Sequence, residues 1–313
     1  MKKSTIIWLI VATTLIVIGI ATIFVALSMG AFDPAIFNTV ELVTNIYEIE
    51  EEFDSISIFT ETADIELRPS TDGSVKVECF EQKNTYHSIS VNEGCLTIQV
   101  IDKREWFEHI GFYPEETKIT VYLPKGRYNE LTIKESTGDV IIQNEFEFFQ
   151  AKIHVTSGDI EFFASAENNL GLKTYSGDIT VDDTNTTIMT LGVGTGDINV
   201  NNIRCKIFET LSTTGDQTIK NLIAEERIIF RGGTGDVLFE KCDAPDITIY
   251  TNTGDIFGSL MSGKDFEVEC GTGDVAYPES LGDEKCKVKS RTGDIKITII
   301  PHKYDDDNDI ISE

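Results

Sequence analysis

From Asp139 onward, one pattern of apolar and polar positions recurs every 19 or 20 residues. Gly-Asp marks each recurrence, with the aspartate at Asp139, Asp159, Asp178, Asp197, Asp216, Asp236, Asp255, Asp274 and Asp294. The residue two before each aspartate is Ser or Thr, and the one after it is Ile or Val except at Gln217. Positions eight and six before the aspartate, and one and three after it, hold 36 residues of which 33 are apolar, where the chain's overall 41% would place about 15. A spacing of two is strand alternation, so each repeat predicts two short strands with one face inward. A unit too short for a crossover helix cannot bury that face alone. Successive turns stacked in register do bury it, with like columns pairing as parallel strands about 4.8 Å apart. The predicted fold is all-β, a parallel β-solenoid (β-helix) of 19–20-residue turns.

The same frame recovers an earlier turn, Ile56 and Ile58 followed by Thr62-Ala63-Asp64-Ile65 and Leu67, with Ala in place of Gly. Between it and Leu131 the period fails. Strands are expected there at Val75–Cys79, Ile89–Val91, Leu96–Ile101 and Ile119–Leu123, with Asn92-Glu93-Gly94 as a turn. This stretch reads as an N-terminal cap over the open end of the stack. Arg104 to Glu116 is the least patterned segment and reads as a mobile loop, whereas Tyr304 to Glu313, with Asp305, Asp306, Asp307 and Asp309, reads as a solvated tail. The expected division is 1–30 for a cytoplasmic N-terminus and membrane anchor, 31–49 linker, 50–130 first turn and cap, 131–300 regular repeats, and 301–313 acidic disordered tail.

Ahead of all this, Ile6 to Leu27 carries no charge over 22 residues, and a helix of that length spans about 33 Å, enough for the hydrocarbon core. Lys2 and Lys3 precede the run and the first basic residue after it is Arg68. The positive-inside rule then puts the N-terminus in the cytoplasm and the rest outside. A cleaved secretory signal is the alternative, since Ala26-Leu27-Ser28 offers small residues for cleavage. Signal cores, however, run to only about 7–15 residues. Both readings export the body.

Charge narrows the partners. The 313 residues hold 26 Lys+Arg against 53 Asp+Glu, a formal net charge of −27, and every acidic residue lies at or beyond Asp33. Such a body repels phosphate backbones, so nucleic acid is excluded as a partner. It also lacks the clustered cations of a peripheral hold on anionic lipid.

Part of the charge belongs to the repeating turn. There Gly supplies an unusual backbone conformation, and Asp and Ser/Thr are expected to bond neighbouring amides. Nine stacked carboxylates repel by about 1 kcal/mol per neighbouring pair in water. Bonds to amides are the expected offset. Calcium at the nine aspartates is the alternative, weakened by one regular carboxylate per turn where calcium takes about six to eight oxygens. No cofactor is expected. Five residues before the aspartates, basic character concentrates at Lys134, His154, Lys173, Arg231 and Lys289. This strip is either a surface for an anionic wall polymer or an offset to neighbouring acidic columns.

Cys79, Cys95, Cys205, Cys242, Cys270 and Cys286 fall at different phases of the repeat, without CxxC spacing or a clustered His, so free and mostly buried thiols are expected over disulfides or zinc. His87, His109, His154 and His302 are scattered, and no HExxH or Gly-x-Ser-x-Gly occurs. Polysaccharide-cleaving enzymes do occur among parallel β-helices. Repeats held at 19 or 20 residues leave no room for the loops of a sugar cleft, and equivalent aspartates do not make an acid-base pair. The expectation is no enzyme.

The Ala63-Asp64-Ile65-Glu66-Leu67 opening, the Ile119-Thr120-Val121-Tyr122-Leu123-Pro124-Lys125-Gly126 segment and the tandem Gly-Asp turns together resemble the bacterial putative-adhesin family of domains of unknown function. That family includes membrane-anchored proteins of Lia-type envelope-stress operons. The resemblance implies a bacterial, envelope-facing location and supplies no catalytic or binding residues. The expected function is a non-enzymatic adhesin-like binding or scaffolding module, single-pass in the membrane, meeting wall polymer or another envelope protein. An accessory role in envelope-stress sensing or signalling is the alternative, and a polysaccharide-active enzyme comes third.

Overall fold

The computed structural model describes residues 3–28, 42–104, 117–280 and 282–300. It consists of two units, one holding a single helix and the other a 23-stranded β-solenoid.

Helix α1, Lys3–Ser28, follows from the uninterrupted run of helix-compatible apolar residues. Three of its four threonines turn their hydroxyls back onto the helix. Thr13, Thr14 and Thr22 donate to the carbonyls of Leu9, Ile10 and Ile18 at 2.8–3.1 Å. Those three hydroxyls are thus satisfied within the helix, which lowers the cost of placing them in lipid.

In the solenoid the counted columns face inward and are buried in nearly every turn. Two of the columns' non-apolar members belong to one turn and meet each other. Thr210 donates its hydroxyl to Gln217 Oε1, and Gln217 Nε2 donates to the Arg231 carbonyl at 3.0 Å. The third, Gly258, makes space, since a Cβ there would strike the Phe239 ring.

The structure adds a third inward side that the two-strand reading lacks. Ile203 with Cys205, Leu222 with Ala224, and Cys242 with Ala244 stack along it, all buried. The chain reaches this side through a corner at Asp183, Asn202, Asn221 and Lys241, each with φ between 51° and 56°. Asn and Asp adopt this left-handed conformation more readily than most residues.

The Gly-Asp corner explains the motif. Gly196, for example, has φ +135°, and a Cβ there would strike the Gly177 carbonyl of the turn below. At this corner the aspartate amide lacks a backbone acceptor across the stack, and the side chain supplies one. Asp197 N donates to Asp178 Oδ1 at 2.7 Å, and all nine aspartate amides of the regular turns do likewise, at 2.7–3.0 Å. The carboxylate bond therefore runs to the neighbouring turn, not within its own turn as an Asx-turn would.

Two further features depart from the sequence reading. The first lies in the cap. Strand β1 (Leu42–Ile49) occupies part of the expected linker. Strands β2 (Ser55–Phe59) and β3 (Asp64–Pro69) form the first turn. Strands β4 (Val75–Gln82), β5 (Thr85–Asn92), β6 (Cys95–Asp102) and β7 (Lys118–Leu123) cover the predicted cap positions and run longer. β6 and β7 pair parallel to β2 and β3, while β5 and β4 close the outside by antiparallel pairing. β8 (Gly126–Thr137) then returns to the other side of β2. The expected loop from 105 to 116 and the tail from 301 onward lie outside the described residues.

The second departure is at the far end, where the last two turns are exchanged. The Asp294 turn stacks on the Asp255 turn, and the Asp274 turn lies beyond it. Outward charges account for the order. Strand Lys285–Thr292 presents Lys287 and Lys289 to Glu267 and Glu269 of strand Asp265–Thr272, each pair at 2.6 Å. Opposed charges across neighbouring strands favour this pairing. The crossover loop is fastened by Lys264, which is fully buried and bonds Asp243 at 2.6 Å and also Glu284. With the Asp274 turn outermost, its column residues are the ones left uncovered, Val275 at 43% and Tyr277 at 46% exposure.

Candidate functional site

The expected basic strip faces outward, but it is not continuous. Lys134, His154 and Lys173 are direct neighbours on strands β8, Phe146–Ser157 and Ser165–Ser176. Gly192 and the exposed Leu211 then interrupt the row before Arg231. Lys289 is adjacent to Tyr250 and paired with Glu269. The sequence reading missed Lys152, which lies two residues from His154 on the same face.

Four basic residues thus occupy three adjacent strands, whose outward positions from 130 to 136, 150 to 156 and 169 to 175 hold one acid, Glu130. Among the described residues no ion pair engages Lys134, Lys152 or Lys173, in a chain of net charge −27. Lys134 and Lys173, two strands apart, are separated by about 10 Å along the stack. Burial, and after it Lys173, Lys134 and Lys152, hold the His154 imidazole below its ordinary pKa. It is therefore neutral at pH 7 and offers a hydrogen bond within a cationic ring.

A groove of about 360 Å³ opens beside this cluster, lined by Phe59, Thr60, Gln99, Lys134, Glu135 and His154 among others. Lys134 Nζ lies 5.9 Å from the Phe59 ring centroid, and Tyr175 stands 68% exposed two residues beyond Lys173. Ammonium groups with a half-buried Phe and an exposed Tyr near them suit an anionic, sugar- or polyol-bearing chain lying across the strands. The groove wall also holds Glu135, which turns inward and is buried. Its Oε1 accepts the Ala63 amide at 3.0 Å and Oε2 has no partner. Burial pushes this carboxyl up to about 8 against the pull of the Ala63 amide, and Asp64 and Asp139 add to the rise.

Behind the groove lies a buried polar cluster that the sequence reading did not assemble. Glu81 Oε2 is 2.7 Å from His87 Nδ1, and His87 Nε2 is 2.9 Å from Thr60 Oγ1. Carboxylate, imidazole and hydroxyl stand in the order of a hydrolase relay. However, Thr60 and His87 are 6% and 4% exposed, so the chain of bonds lies beneath the surface. Cys79 is beside them, so the expectation that no His clusters with a cysteine is corrected. The β4–β5 hairpin folds His87 back onto a strand eight residues earlier, a contact that no local spacing encodes. All six cysteines are unpaired. Burial is the main cause raising Cys79, Cys205, Cys242 and Cys286 to about 12.

The nine aspartates stand in single file with Oδ1 of one turn bonded to the amide of the next, except at the outermost Asp274. Among the described residues, three or more metal-capable donors of the His, Cys, Asp and Glu types converge at Cys79, Glu81 and His87, and not along that file.

A family model described as Toastrack DUF4097 matches residues 53–221 and 193–308. Among solved structures, the chain is similar to a "putative adhesin" from Bacteroides fragilis NCTC 9343, at 19% identity and TM-score 0.48, covering 82% of this chain and 97% of that one. It is similar to a "putative adhesin" from Parabacteroides merdae ATCC 43184, at 15% identity and TM-score 0.50, covering 83% and 96%. A "putative lipid binding protein" from Parabacteroides distasonis ATCC 8503 matches at 14% identity and TM-score 0.46, covering 82% and 96%. No curated protein matches the chain. At 15% identity and TM-score 0.50, the likeness to the Parabacteroides merdae protein is one of fold.

Proposed function

Since the chain belongs to the Toastrack DUF4097 family, we propose that it is a membrane-anchored, extracytoplasmic and non-enzymatic module that binds an anionic polymer of the bacterial cell envelope. Helix α1 is the anchor, and Lys2 and Lys3 ahead of its apolar run set the N-terminus on the cytoplasmic side. The observation that carries the binding reading is the unpaired cluster of Lys134, Lys152, Lys173 and His154 beside an aromatic groove. A solenoid this acidic has carboxylates to spare for neutralising lysines, as it does at Lys287 and Lys289, and here leaves them unneutralised. The solenoid supplies a flat, rigid face on which such groups keep fixed spacings.

The test is retention of the full chain, in detergent, on purified wall fragments. Reversal of Lys134 and Lys173 to Glu together should weaken retention about tenfold or more and flatten its salt dependence. Lys289→Glu, already opposite Glu269, should leave retention unchanged. Equal retention of the double reversal and the parent would refute the reading.

A further inference from the structure

The buried cluster in the cap supports an inference separate from the polymer surface. Cys79 and Glu81 are two residues apart on β4 and share one face of it, while His87 enters from β5 across the Lys83-Asn84 turn. They are 0%, 1% and 4% exposed. A thiol sulfur, a carboxylate oxygen and an imidazole nitrogen lie within 4.8 Å of one another.

The outer atoms of these side chains are already held. His87 Nε2 is 2.9 Å from Thr60 Oγ1, and Glu81 Oε1 accepts from Asn45 Nδ2 at 2.6 Å. That leaves His87 Nδ1, Cys79 Sγ and the second lone pair of Glu81 Oε2, which also accepts the His87 backbone amide at 2.7 Å, as the donors for an ion. Supporting bonds on the far nitrogen of a histidine and the far oxygen of a carboxylate are how metal ligands are oriented.

We propose that Cys79, Glu81 and His87 bind one zinc-class divalent ion. Thiolate with imidazole and carboxylate selects zinc over calcium or magnesium. Thiolate, carboxylate and a dication sum to zero charge, the state in which such groups are least costly to bury. At metal–ligand distances of about 2.0–2.3 Å, tetrahedral donors stand roughly 3.3–3.7 Å apart. Nδ1 and Oε2, now 2.7 Å apart, would therefore part by about 0.6 Å as the ion replaces their hydrogen bond. The ring proton of that bond would pass to Nε2, which then donates to Thr60 Oγ1, and Cys79 would release its thiol proton to solvent, so one proton leaves as the ion binds. Three protein ligands leave a fourth position for water.

The experiment titrates cobalt(II), a spectroscopic stand-in for zinc, into the reduced, metal-stripped full chain in detergent. The expected result is a thiolate-to-cobalt charge-transfer band saturating at about one ion per chain and abolished by added zinc. Cys79→Ser should lose the band and Cys242→Ser, buried elsewhere in the stack, should keep it. Asn45→Ala and Thr60→Val should weaken the affinity about 10–100-fold, and these two variants decide the matter if Cys79→Ser does not fold. Absence of the band from the folded parent chain, or its survival in Cys79→Ser, would overturn the proposal. So would cobalt uptake without a thiolate band, which would point to the aspartate file. None of these outcomes depends on polymer binding.

Discussion

Glu135 turns a buried carboxyl into a measurable dependence of stability on pH. It is 4% exposed with one oxygen unpartnered, and its pKa is raised from 4.5 to about 8, chiefly by burial. Below pH 4.5 the carboxyl is protonated in folded and unfolded chains alike, and the folded state loses nothing. Between 4.5 and about 8 the unfolded chain ionises and the folded chain does not, so stability falls as pH rises. At about 1.4 kcal/mol per pH unit the loss amounts to at most about 5 kcal/mol, complete once pH passes the folded value. Glu135→Gln keeps the acceptor for the Ala63 amide and removes the titration. Urea unfolding of the full chain in detergent, at about pH 5 and about pH 9, should show parent and variant close together at the lower pH. At the higher pH the variant should be several kcal/mol more stable. The other carboxylates are common to both chains and cancel in the difference. A stability gap of equal size at both pH values would refute the reasoning.

Other perturbations reach other parts of the stack. Gly196→Ala, at φ +135° and against the Gly177 carbonyl, should cost more than about 3 kcal/mol by urea unfolding. Thr210→Val and Gln217→Ile should each cost about 1–3 kcal/mol by leaving the partner unbonded, whereas the double variant should lie near the parent. Strictly additive losses in that cycle would show that the pair does not interact. Lys264→Met, which strands Asp243 and Glu284 in the crossover, should cost about 2 kcal/mol, since both partners keep some access to water. A thermal melt unaltered by the substitution would rule out the clamp.

The repeat was legible because its signals are local and recur: the corner needs Gly for backbone space and Asp for an acceptor, in every turn. Even Gln217 stood out as an exception, and the structure gives it Thr210 as its partner. The third side was not legible, because its inward residues include Ala164, Ala166, Thr184 and Thr186, too small or polar to register as an apolar column. The exchange of the last two turns was hidden for the opposite reason. Both turns carry the full motif, and what separates them is the pairing of one outward face, Glu267 and Glu269, with another, Lys287 and Lys289. Of the basic strip, the residue types were readable but not their neighbours: register brought Lys134, His154 and Lys173 together and placed Lys289 beside an acid. Glu135 and the Cys79–Glu81–His87 cluster depend on cap pairings that no period announces.

The exchanged turns also set a problem of timing. As the chain is made from its N-terminus, the Asp274 turn is complete before the strands that separate it from the Asp255 turn exist. For that interval the growing stack presents a vacant docking edge and a turn whose motif fits it. Direct docking would bury the same columns in the wrong order and leave Glu267 and Glu269 without the lysines that pair with them. The final layer must then either enter a slot held open for it or displace an early occupant. Local contact therefore does not fix the fold at this end, and the last 16 described residues, Lys285 to Ile300, act as a wedge that closes the sequence of assembly.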